Sequence, residues 1–265
     1  MVLTYQIFGG LDAPMRIPCA LLRFALVVAF LLFAASLLPA QDSASLLVQS
    51  IQATSQIASV DDLAVPARLK NQYEKARKLL VDKQDTEKCI GTIRKVIDEA
   101  PSFSHAHFLL AMVYMNTARW ADAEPELRTV ISLNDKSAFA YLALGSSFYE
   151  QGKLAEAEKT LLRADELLPG VSQVNYELAR TYYALGRFQD AEPKARKTVA
   201  MNPSFPEGHM VLGYVLLHLR KNQEAFDELQ TYLRLAPDGP ASVPIQWFMT
   251  RWDSALQRCA ECTAD

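Results

Sequence analysis

Side chains recur at a fixed step of 34 residues along most of this chain. Leu110, Leu144, Leu178 and Leu212 form one series. Each is followed at once by a small residue (Ala111, Gly145, Ala179, Gly213) and then by a large apolar one at Tyr114, Phe148, Tyr182 and Leu216. Cys89, Ala123, Ala157, Ala191 and Ala225 form a second series, and Pro101, Asp135, Pro169, Pro203 and Pro237 a third. A repeat of this length means stacked supersecondary units, none able to bury its apolar face alone.

Each series has a mechanical reading. Leu110, Ala111 and Tyr114 are spaced to share one helix face. The small residue lets a second helix approach, and its expected counterpart is the Ala on that helix, Ala123 or Ala157. Gly152 and Gly186 fall where the chain reverses between the two helices. The Pro closing each unit stops the second helix. Pro125 and Pro193 are expected in the first turn of that helix, where a missing N–H costs little.

The segments YLALGSSFYEQGKLAEAEKTLLRADELLP (141–169) and YELARTYYALGRFQDAEPKARKTVAMNP (176–203) resemble tetratricopeptide repeats in period and in the order large, small, aromatic, Gly, Ala, Pro. The resemblance implies an all-α, right-handed superhelical solenoid. Five helix–turn–helix units are expected at 70–103, 104–137, 138–171, 172–205 and 206–239, covering 170 of the 265 residues. The chain departs from the family pattern in places. Where the family has Trp near the start of the first helix, this chain has Tyr73, His107, Tyr141, Asn175 and His209. The first unit has Arg77 at the small position and Gln84 at the turn Gly, which suggests an N-terminal cap with a wetter face. The last unit has Arg220 in place of the turn Gly.

Beyond the repeats, Asp238-Gly239-Pro240 is a turn cluster. Ile245, Phe248, Met249, Trp252, Leu256 and Cys259 then recur at helical spacing, so 240–265 is expected to be a capping helix and tail. Residues 41–69 read as a tether, rich in Ser, Gln and Ala towards its start. At the other end, Arg16 and Arg23 precede a 12-residue apolar run, Phe24–Ala35, closed by Ala40. That is the pattern of a secretory signal over 1–40, too short for a spanning helix. Export to the periplasm or exterior is expected, with an uncleaved membrane anchor as the alternative.

Chemistry is sparsely signalled. A net charge of −3 with 27 Lys+Arg carries no basic excess for nucleic acid. Ten Gly and four His leave little for phosphate loops or histidine metal centres. Cys259 and Cys262 have C-x-x-C spacing, but no second ligand pair or βαβ context accompanies them. An inert pair or local disulfide, an intermolecular contact, and a redox or metal role all remain open for them. No catalytic, cofactor or metal residue is therefore expected, and the chain reads as a non-enzyme.

In the family resembled, the second, fifth, ninth and twelfth positions of each unit line a concave peptide groove. Here those places include Phe108, Met112, Met115, Phe139, Leu142, Tyr149, Tyr176, Arg180, Tyr183, Met210, Tyr214 and Leu217. The Lys/Asn cluster of members that grip a C-terminal carboxylate is missing, and Arg180 is the lone cation mid-row. Met and Tyr adapt to varied apolar surfaces, so an apolar protein or peptide segment is the expected partner. The other reading is that the row only packs internally. A structural subunit of an envelope or secretion assembly, using its convex face, is the functional alternative to an adaptor.

Overall fold

The computed structural model describes residues 27–28, 62, 64–81 and 85–261, with side chains as far as Trp252. The expected signal segment and most of the lead-in lie outside the described residues, as do the side chains of Cys259 and Cys262. The described residues from 62 to 235 form one compact unit, and those from 236 to 261 belong to a second. Among the described residues there are eleven principal helices and no strand.

Ten of the helices run in pairs: α1 (Ala67–Val81) with α2 (Thr86–Glu99), α3 (Ser104–Asn116) with α4 (Trp120–Leu133), α5 (Ala138–Glu150) with α6 (Leu154–Leu167), α7 (Ser172–Ala184) with α8 (Phe188–Met201), and α9 (Pro206–His218) with α10 (Asn222–Leu235). Each helix packs on the next, as a superhelical solenoid requires. The last helix, α11 (Ser242–Glu261), buries Ile245, Phe248 and Trp252 and leaves Val243 and Trp247 exposed. None of the described helices is long and apolar enough to cross a membrane.

The 34-residue step reappears as burial. The second helix of every pair hides one stripe at spacings of four and three: Cys89, Ile93, Val96; Ala123, Leu127, Val130; Ala157, Leu161, Ala164; Ala191, Ala195, Thr198; Ala225, Leu229, Tyr232. This is a single apolar face at helical period. The inner helices α3, α7 and α9 differ, since nearly every residue on them is buried. α1 is wetter, with Asn71 and Lys78 exposed.

Two local expectations need correction. A Cβ placed on Gly145 would lie 2.5 Å from Leu161, and one on Gly213 would lie 2.7 Å from Leu229. The small residue thus makes room for the Leu one turn beyond the Ala series; only the Ala225 carbonyl, 3.4 Å from that Gly213 position, belongs to the Ala expected. Pro125 and Pro193 are each the sixth helical residue, past the first turn. They are tolerated because Ala121 and Gln189, four residues earlier, are exposed, so water can serve the carbonyls they leave unpaired.

The turns between paired helices repeat too. Ala118, Gly152, Gly186 and Arg220 all have φ between 55 and 73°. In each turn, the left-handed residue donates its N–H to the carbonyl three back, and the next residue donates to the carbonyl five back. For example, Gly152 donates to Tyr149 at 2.9 Å and Lys153 to Phe148 at 2.9 Å. This double bond closes the first helix and reverses the chain.

Ions tie successive pairs together. Lys153–Glu124 (3.1 Å), Arg187–Glu158 (2.8 Å) and Lys221–Glu192 (2.7 Å) step by 34, with Arg119–Glu87 (3.8 Å) a looser version. These contacts are solvated, so each contributes little to stability.

Candidate functional site

The twelve row residues come from the four inner first helices, three from each. Ten of them are 7 % exposed or less, and only Phe139 on α5 and Tyr149 at its end are half-buried. The row is an apolar strip shielded from solvent in the folded chain.

Two clusters form within it. Arg180 of α7 lies over the Tyr149 ring at 3.9 Å and near the Tyr176 ring at 5.5 Å. Tyr176 meets Phe205 edge-on at 5.0 Å. In the second cluster, Tyr183 lies 6.3 Å from Tyr214 and 5.4 Å from His218, whose Nε2 is 3.3 Å from its hydroxyl. His218 stacks on Phe188 at 3.9 Å. Burial lowers the pKa of His218 and pushes the Tyr183 and Tyr214 hydroxyls well above their ordinary range, so these groups stay neutral.

Arg180 is not a free cation awaiting a carboxylate. Its guanidinium reaches Glu150 at 2.7 Å and Glu177 at 3.2 Å, and Gln173 donates to Glu177 at 3.3 Å. Burial works against its charge, but the neighbouring groups, led by Glu177, outweigh it and hold its pKa well above the ordinary value. The charge is committed within the chain, as buried charges must be.

A second surface was missed by the sequence reading. An open cleft of about 790 Å³ lies between α4 and α6, floored by Tyr141, Leu144 and Phe148 of α5 and flanked by Ile131 and Leu162. Those floor residues centre about a third of a turn round α5 from Leu142 and Tyr149. The repeat itself could have pointed to it. One unit on, the places of Ile131 and Thr160 are held by Asp165 and Lys194, which pair at 2.7 Å. The place of Leu162 is held by Arg196, paired with Glu192 and Glu224. The cleft thus lies where Ile131, Thr160 and Leu162 stand at the places that carry ion-paired residues one unit on, with Arg163 and Glu166 among its polar lining.

Among the described residues, no group of three or more His, Cys, Asp or Glu is placed to hold a metal ion. Cys89 is buried and its thiol reaches the Ala76 carbonyl at 3.2 Å. Burial raises its pKa to about 11, so it packs as a small apolar side chain.

A family model described as the tetratricopeptide repeat matches residues 108–172 and 176–240. The TPR repeat-containing protein YpiA of Bacillus subtilis is 28 % identical over 162 residues, which span 60 % of this chain and 38 % of YpiA. The type IV pilus assembly protein PilF of Pseudomonas aeruginosa is 27 % identical over 124 residues, 46 % of this chain and 49 % of PilF. The chain thus spans less than half the length of either of these relatives. The solved structure of PilF superposes with a TM-score of 0.59 at 20 % identity, over 72 % of this chain and 91 % of that one. That of MamA gives 0.56 at 23 % identity, over 64 % and 92 %. At these identities the structural matches establish the fold alone.

Proposed function

Because this chain is built of tetratricopeptide repeats, we propose that it works as an exported adaptor that takes up an apolar segment of a partner protein along the row on α3, α5, α7 and α9. The solenoid is a protein–protein interaction scaffold, and proteins of this kind are generally non-enzymatic. The finer reading rests on one observation: Met, Phe, Leu and Tyr side chains fill the fifth and twelfth places of four successive units, on their first helices. Such a strip favours apolar occupants over a charged terminus. Since most of the row is shielded in the free chain, binding draws on an opened form, and the apparent affinity is reduced accordingly. Placement outside the cytoplasmic membrane rests on the Arg-flanked apolar run ending at Ala40.

A second reading makes the chain a subunit of an envelope assembly, docked through the α4–α6 cleft. The open apolar cleft supports it, and the name of PilF places one relative in pilus assembly.

One experiment separates the two. The tagged protein is captured with its partners from its natural host, alongside Phe139→Ser/Tyr149→Ala in the row and Ile131→Glu/Leu162→Glu in the cleft. Phe139 and Tyr149 are the least buried of the row, Ile131 is part-exposed and Leu162 exposed, so the fold should be retained and is checked by circular dichroism. The adaptor reading expects the row variant to lose the partner and the cleft variant to keep it; the reverse supports the second reading. The N-terminus of the captured chain should lie near Gln41.

A further inference from the structure

Two histidines three repeats apart make the same pair of bonds. His107 on α3 places Nδ1 2.6 Å from Glu126 Oε2 of α4, and Nε2 2.9 Å from the Pro101 carbonyl in the α2–α3 turn. His209 on α9 places Nδ1 2.6 Å from Glu228 Oε2 of α10, and Nε2 2.9 Å from the Pro203 carbonyl in the α8–α9 turn. Pro101, His107 and Glu126 become Pro203, His209 and Glu228 on adding 102. The two units between lack the device: Tyr141 and Asn175 replace the His, and Thr160 and Lys194 replace the Glu.

Proton counting constrains what these clasps are. A backbone carbonyl only accepts, so Nε2 must carry hydrogen. At 2.6 Å, Nδ1 and the carboxylate oxygen must also share a hydrogen, because two lone pairs cannot face each other there. Each clasp thus holds one proton more than a neutral imidazole beside a carboxylate. Taking it away breaks one of the two bonds and leaves a partly buried carboxylate without its donor.

We propose that the His107 clasp is a proton-operated tie, holding α3 to α4 and to the α2–α3 turn at neutral and acid pH and releasing them as the pH rises; His209 repeats its geometry. Among the described residues, Glu126 from α4 is the charged group within ion-pair distance of His107, and Glu228 from α10 that of His209. The preceding turn contributes only the Pro carbonyl to each. On α3 itself, His105 faces away, to Asp62 at 2.8 Å. For His107, burial opposes the charge, but the bonds to Glu126 and Pro101 and the Glu126 charge outweigh it, so its pKa is raised. The sign follows: stabilisation by a raised histidine is complete below the unfolded value of about 6.5 and is lost as the pH climbs through the folded value.

Glutamine tests this cleanly. In Glu126→Gln the amide can donate to the bare Nδ1 of a neutral His107 ring, keeping the clasp without its extra proton. The urea midpoint of the natural chain should fall between about pH 6 and about pH 8.5, and fall less in the variant. His105, His209 and His218 are common to both chains and cancel in the comparison. Ring nitrogen shifts should show His107 doubly protonated at about pH 7 in the natural chain and singly protonated in the variant. Equal pH slopes for the two chains, or a neutral His107 ring in the natural chain at that pH, would overturn the proposal.

Discussion

Arg180 shows how much a side chain's meaning depends on partners that spacing does not reveal. Its place in the repeat puts it on the row, and the sequence therefore presents it as a solitary cation. Glu150, thirty residues earlier at the end of α5, and Glu177, one turn back, instead enclose it. Removing one member of such a buried set leaves the others uncompensated, which typically costs ~3–5 kcal/mol. Arg180→Ala should therefore lower the unfolding free energy by about that much in urea titration. Arg180→Met combined with Glu150→Gln and Glu177→Gln should recover most of the loss, because an apolar replacement of similar size then faces no bare carboxylate. A loss under about 1 kcal/mol for Arg180→Ala would mean the guanidinium is solvated. The prolines taught the same lesson: Pro125 and Pro193 were legible as helix residues, but their depth in the helix depended on where the preceding turn closed.

At the level of helices the sequence is far more telling, because the same physical demand is met five times over. Small side chains, large side chains and turn formers recur in phase, and each lands on the face or turn that its size suits. The turns show where repetition outranks local preference. Gly152 and Gly186 adopt the left-handed conformation freely, whereas Ala118 and Arg220 are held in it by the same pair of hydrogen bonds. A side chain there costs about 1 kcal/mol, so Arg220→Gly should raise the thermal midpoint, with an unchanged or lower midpoint counting against that reading. Ala157 tests the other demand. It is fully buried on α6, and Ala157→Leu should destabilise by ~1–3 kcal/mol through overpacking, visible as an earlier denaturant midpoint. What the pattern did not disclose was which residue faces which across a pair. Gly145 meets Leu161 rather than the Ala series, because helical phase fixes a face and leaves the axial offset between helices free.

The whole molecule inherits its function from the stacking, since each pair touches mainly its neighbours and a row on one helix becomes a strip on four. The solenoid was legible because its period is. The state of the strip was not, since a residue's place in a repeat says which way it faces and nothing of what shields it. The α4–α6 cleft escaped notice for a related reason: it arises from what two units do differently, and a search for likeness passes over that. The central claim is that a partner segment lies along the row. The most direct measurement places a photo-crosslinking amino acid at Phe139 or Tyr149, the two half-buried row positions, and at Leu162 in the cleft, in the natural host under its own promoter. Mass spectrometry then reads the products of each. The account predicts that both row positions crosslink to one second protein, through an apolar stretch of it, while Leu162 does not. Crosslinks from Leu162 to a second protein, with only intramolecular products from Phe139 and Tyr149, would contradict it.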